Sequence, residues 1–269
     1  MYGPHSAHHA AAGPGWRPHP RRSIAWGDAI GAALRAEGGW SSLFVGAVMI
    51  LIPFVGQIAL MGWASEIAQR VWWGHPRTVP QLRFADLGYW LKRGVTPFVT
   101  NLVVSSAVGM LLNIIIVPAI FVIMGIYAGT GSEEVMILAM IGIAGATVIV
   151  AGFVITPLLG AFMTFAELTE DFGEVFKLGA VLSFAKATWW YHIGAAIVLG
   201  LVGMMAMFGG LLLLFFGVFL VLPILLAAQA HVRAQILQIY AARGGAPIPV
   251  RPPAPVPAEM QQMASGYAP

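Results

Sequence analysis

The chain is a succession of long apolar runs separated by short polar stretches. Residues 95–124, 135–160 and 191–228 are apolar almost throughout. Each meets or exceeds the ~20 residues that a helix needs to cross the hydrocarbon core of a bilayer. As a helix, 95–124 would be ~45 Å long against a core of ~30 Å, so it must tilt or project, with Pro97 and Pro118 near its ends. Residues 191–228 would reach ~57 Å as one helix. That run must therefore break, and Gly209-Gly210 is the expected place. Four spans result: 95–124, 135–160, 191–208 and 211–228. Pro157 is the expected hinge near the end of the second, on which Gly142 and Ala146 form a small pair suited to close helix packing.

A fifth stretch, "WSSLFVGAVMILIPFVGQIALMGW" at 40–63, is apolar enough to enter a membrane but carries Pro53 and Gly56 at its middle. Two arrangements fit it. Either Pro53 kinks a single crossing, or "PFVG" turns a re-entrant hairpin with arms 40–52 and 57–73, neither of which reaches across alone. Helical spacing of a different kind occupies 165–177: Phe165, Leu168, Phe172, Val175 and Phe176 recur on one side, with Glu167, Glu170, Asp171, Glu174 and Lys177 opposite. This predicts an amphipathic helix at the membrane interface with a solvated acidic face. A shorter interfacial helix is expected over 24–37.

Composition agrees with this pattern. Hydrophobic residues make up 59% of the 269 and charged residues only 9%, far below a soluble chain's ~25%. The fold class is therefore all-α, a polytopic helical membrane protein with four full spans, a broken first segment and interfacial helices. Cysteine is absent, which removes disulfides and thiolate chemistry. The net charge of +3, concentrated in flanking segments, suits anionic lipid headgroups as partners and is too sparse for a nucleic-acid surface.

The charges also give an orientation. Arg70, Arg77, Arg83, Lys92 and Arg93 precede the first full span, 127–134 has no Lys or Arg, Lys177 and Lys186 follow the second span, and Arg233 and Arg243 follow the last. Positive residues favour the cytoplasmic side, so the C-terminus is expected there, in an inner (cytoplasmic) membrane. Arg17, Arg21, Arg22 and Arg35 make the N-terminal flank basic too, which favours the hairpin over a single crossing. Residues 1–22, with four of the seven His, and the Pro-rich 244–269 are expected to be disordered tails around a membrane domain at 23–243. The second carries PxxP spacings that could dock protein partners.

Polar residues within the apolar segments are the candidates for function. Gln57 follows the "PFVG" turn, Glu66 and Arg70 are four apart and would pair on one helix face, Asn113 lies mid-span, and His192 follows Trp189-Trp190-Tyr191. Trp72, Trp73, Trp189 and Trp190 read as interface anchors. No H-E-x-x-H, phosphate-cradling loop or joinable Ser, His and acid set is present. No catalytic, metal or cofactor site is therefore expected. The expectation is a non-enzymatic protein that organises or shapes the membrane or scaffolds partners, with transport of a small or lipidic solute past residues 53–57 as the alternative.

Residues 51–95 carry a recognisable series: Ile52-Pro53-Phe54-Val55-Gly56, Gly62-Trp63, Arg70, Gly74, Pro80, Phe84 with Asp86, and Gly94. It resembles an uncharacterised prokaryotic membrane family, the domain of unknown function numbered four thousand and thirteen, over roughly residues 26–243. Where that family often has a second acid before the last Gly, this chain has Lys92 and Arg93. The resemblance implies a helical integral membrane protein and no known activity. More distantly the chain is similar to membrane domains joined to some glycerophosphodiester phosphodiesterases, without a counterpart of their hydrolytic half.

Overall fold

A computed structural model describes residues 21–36, 38–75, 79–212 and 216–253. The described residues are helical, with no strand among them. The helices are α1 (Trp26–Arg35), α2 (Gly39–Ile50), α3 (Val55–Trp72), α4 (Leu87–Thr130), α5 (Glu133–Val150), α6 (Thr156–Thr169), α7 (Phe172–Val175), α8 (Leu178–Leu212) and α9 (Phe216–Ala242). Four segments are long and apolar enough to cross a membrane: Phe84–Gly129, Glu133–Thr169, Leu178–Leu212 and Gly217–Ala242.

The broken first segment is two helices. The N–H groups of Leu51, Ile52 and Gly56 bond back to the carbonyls of Val48, Met49 and Ile52, and that of Val55 to Pro53, while Pro53 has no N–H to leave unpaired. Phe54 takes a positive φ of 59°, a strained conformation for an aromatic residue, and reverses the chain. The arms then lie side by side, since a Cβ on Gly46 would sit 3.5 Å from the Leu60 side chain and one on Gly56 would overlap the Met49 carbonyl.

From there α3 runs antiparallel to α4. Phe54 meets Phe98 edge-on, and Gly62 lies against Trp90 and Gly94. A Cβ on Gly94 would come within 1.7 Å of the Ile58 carbonyl, so the two backbones touch at a crossing that only glycine allows. The buried core, including Trp63, Trp90, Phe165 and Phe184, gathers where α1, α3, the start of α4, α6, the start of α8 and the end of α9 meet. Beyond it α4 and α5 form one apolar hairpin, and α8 and α9 another. The outer part of α4 and α5 is largely exposed, with Met110, Ile114, Phe121 and Leu138 uncovered. The hairpins do not pack on one another along their length.

Several expectations are corrected. Gly209 and Gly210 do not break the last apolar run: α8 continues through them to Leu212, and α9 begins at Phe216. Gly210 instead packs on Gly217, where a Cβ would meet backbone at 2.8 Å, so it serves helix contact. The segment 165–177 is not one amphipathic helix. Glu170, at φ 51°, ends α6, Asp171 caps the short α7 by accepting from the Gly173 N–H, and α8 begins at Leu178. Gly142 has nothing within 4 Å of where a Cβ would stand, so the Gly142 and Ala146 pair joins no helices here. Pro157 does lie at a change in helix, in the first turn of α6 behind a π-turn at Ala151–Ile155.

The tail boundary moves as well. Residues 244–253 lie against the bundle: Gly244 turns at φ 80°, Val250 is buried, and the Arg251 N–H donates to the Leu168 carbonyl at 2.8 Å. The remaining tail positions, 1–20 and 254–269, lie outside the described residues.

The α3–α4 crossing leads to a prediction. Gly94→Ala forces the helices apart, which is expected to cost about 1–3 kcal/mol. Gly88→Ala, where no atom comes within 4 Å, is expected to cost nothing. Unfolding of the two purified variants in detergent measures the difference.

Candidate functional site

The chemistry-bearing residues converge at the end of the bundle that holds the core. Glu66 on α3 is fully buried and accepts from Arg70 Nε at 2.7 Å. Its other oxygen accepts from Arg93, which reaches over from α4. Arg93 also donates to the Gln69 amide oxygen, to Tyr89 Oη at 2.6 Å and to Glu170 Oε1 at 2.8 Å. Glu170 binds Arg251 through Oε2 at 2.6 Å and accepts from Gln69 Nε2 at 2.9 Å. The cluster around the Glu66–Arg93 pair thus joins α3, α4, the end of α6 and the chain after α9.

A second pair lies one turn along α6. Glu167, also fully buried, accepts from Arg233 of α9, whose guanidinium donates in addition to Gln229 at 3.3 Å. Gln69 Nε2 bonds the Glu167 carbonyl at 3.0 Å and ties the two pairs together. Around them Gln238 donates to the Val71 carbonyl at 2.7 Å, and Gln235 accepts from the Ala25 N–H at 2.6 Å. Burying a carboxylate without a partner is prohibitive, and each of these has at least one guanidinium.

Next to this network, α6, α8 and α9, with Asn101 of α4, line a half-open cavity of about 660 Å³. Met163, His192, Leu199, Leu225 and Arg233 are among its lining residues. The His192 ring occupies the space left by the absent side chain of Gly160 and meets Phe184 edge-on at 5.7 Å. Its Nε2 is buried without a hydrogen-bond partner among the described residues, as is Glu167 Oε2. No group of three or more metal-ligating side chains converges among the described residues.

A family model described as "Protein of unknown function (DUF4013)" matches residues 45–215, more than half of the chain. The chain belongs to this family. No curated protein and no solved structure matches it. Within this DUF4013 chain, the glycines that carried the resemblance have a mechanical role: Gly56 seats the turn, Gly62 and Gly94 make the α3–α4 crossing, and Gly74 takes a φ of 91° after α3.

The sequence candidates divide. Glu66 and Arg70 pair as their spacing predicts, inside the network. His192 is buried at the cavity wall, where a wet interfacial position was expected. Gln57 and Asn113 are exposed on α3 and α4 and neither lines the cavity; Asn113 donates to the Gly109 carbonyl of its own helix at 2.8 Å. Among the tryptophans, Trp190 is exposed and Trp189 half-buried, but Trp72 and Trp73 are buried in protein, where Trp73 Nε1 donates to the Arg251 carbonyl at 3.2 Å. Trp73 thereby anchors the chain after α9.

The hub, Arg93, was missed, together with its partners Gln69 and Glu170, the second guanidinium on Glu170, Arg251, and the pair Glu167–Arg233. Glu167 and Glu170 were assigned to a solvated face because their period was read without the turn at Glu170. A usable signal existed, since every ionisable residue bordering an apolar span is a candidate for internal pairing.

The geometry predicts strong non-additivity. Arg233→Leu strands the Glu167 carboxylate and is expected to destabilise by about 3–5 kcal/mol. Glu167→Leu with Arg233→Leu removes both charges, and its cost is expected to fall well below the sum of the single costs. A double-mutant cycle of unfolding in detergent gives the coupling.

Proposed function

We propose that this chain is a non-enzymatic inner-membrane protein that organises the bilayer by inserting a half-depth wedge into its cytoplasmic leaflet. The observation that carries this is the α2–α3 hairpin. Its 12-residue first arm rises only ~18 Å and, at ~27 Å, the 18-residue second arm also falls short of the ~30 Å core. Trp40, Phe44, Val48 and Leu51 form an exposed apolar stripe along α2, and Ile52 and Phe54 are uncovered at the tip. The turn meets its backbone hydrogen bonds locally, as a chain reversal in hydrocarbon requires.

Exposed Arg22, Arg35, Arg83, Lys92, Lys186 and Arg243 flank the charged end of the bundle, and anionic headgroups are the partners they suit. Both termini are then cytoplasmic, and the α4–α5 turn is external. Volume added to one leaflet alone favours curvature. Transport was the competing class, but the two polar residues it relied on, Gln57 and Asn113, are exposed on different helices. The Pro-rich segment at 244–269, with Pro249, Pro252 and Pro255 at PxxP spacing, offers protein partners a docking motif.

Two measurements test this. Single cysteines at positions 6, 132 and 265 of the otherwise cysteine-free chain are exposed to an impermeant maleimide on intact cells. Labelling is expected at 132 alone; labelling at 6 makes residues 40–63 a single crossing and ends the wedge. In vesicles containing anionic lipid, rising protein-to-lipid ratio is expected to reduce vesicle diameter. Phe54→Glu, which places a charge at the tip, is expected to weaken that effect. Unchanged vesicle shape at all ratios refutes the shaping role.

A further inference from the structure

The cavity between α6, α8 and α9 is graded along its length. Toward the bundle's charged end it is lined by Arg233, Gln229 and His192, and toward the far end of α8 and α9 by Met207, Leu222 and Leu225. Its volume, about 660 Å³, lies within the ~300–1,000 Å³ range of ligand pockets. An apolar wall with polar groups gathered at one end is the complement of an amphiphile.

The polar end selects among amphiphiles. Arg233 and Glu167 are paired, so their charges cancel. Of the residues that line this end, His192 has its Nε2 unmet among the described residues, and it is only 4% exposed. A buried polar atom without a partner is costly, and a suitable ligand recovers that cost. A phosphate or carboxylate head would bring acceptors and an unbalanced negative charge close to Glu167. A hydroxyl donates to an imidazole and accepts from a guanidinium, and it adds no charge.

We infer that the cavity binds a neutral, hydroxyl-headed lipid of the diacylglycerol type. Its head lies at His192 and Arg233 and its chain lies along Leu199, Met207 and Leu225. This site is independent of the α2–α3 wedge, and its failure would leave the wedge untouched.

The full chain in phosphatidylcholine nanodiscs, titrated with a diazirine-tagged diacylglycerol, provides the test, with cross-links mapped by mass spectrometry. Saturable labelling is expected at α6 and α8 around Met163 and Leu199, while Ile114 and Leu138 on the exposed α4–α5 hairpin label in proportion to probe. Untagged diacylglycerol is expected to compete at least fivefold better than phosphatidic acid or a fatty acid. Ala196→Trp, which fills the cavity from an exposed lining position, is expected to abolish saturable labelling. His192→Leu is expected to reduce the preference for the hydroxyl head while leaving chain binding.

Non-saturable labelling throughout means annular lipid only and overturns the site. Equal or better competition by the anionic lipids overturns the choice of head. The competition needs no variant, so it decides the question even if Ala196→Trp does not fold.

Discussion

The joining of α3, α4 and the end of α6 depends on Arg93 reaching Glu66 and Glu170 at the same time. A buried carboxylate in a medium of low dielectric is tolerable only with a partner, and each of these has Arg93 and one further guanidinium. Because the two acids sit on α3 and at the end of α6, while Arg93 starts α4, the pairing fixes three helices that are distant in sequence. Arg251 extends the same logic to the chain after α9, and Trp73 holds that segment from its other side. A single guanidinium thus converts local helix formation into a specific arrangement.

That reach is short, and glycine makes it possible. Gly62 and Gly94 let α3 and α4 touch backbone to backbone, so the residue directly before Gly94 lies against α3. Bulkier residues would separate the helices, and Arg93 would have to span a wider gap to Glu66 or leave it unpaired. The signature glycines and the unannounced arginine therefore belong to one device: the first set the distance and the second uses it.

The sequence made the class of fold and the number of spans legible, because apolar runs of 26 residues and more have few other meanings. A break at residues 51–54 was also marked, as a kink or a reversal, since Pro and Gly in an apolar run change what the backbone can do. The charged core was much harder to see. Glu167 and Glu170 obey a helical period with the phenylalanines beside them, and periodicity alone cannot tell a solvated face from one that meets charged residues of another helix. What decides the matter is the turn at Glu170 and the presence of Arg93 and Arg233 opposite, and both are facts of tertiary structure. Gly209 and Gly210 were misplaced for a related reason: glycine pairs mark both turns and close contacts, and only the position of Gly217 distinguishes them.

The two ends of the molecule are built on opposite principles. One end is held by paired charges and tightly crossed helices, so it resists deformation; the other consists of two apolar hairpins with little contact between them. If the α2–α3 hairpin acts as the proposed wedge, it needs such a rigid base, because a wedge displaces lipid only if it does not itself yield. The α2–α3 arms have that base in the Gly62–Gly94 crossing and the Glu66–Arg93 pair, both on the same helix as the wedge's second arm. Loosening the charged end would therefore be felt at the tip, and stability and membrane effect would decline together in variants of Arg93 while separating in variants of Phe54.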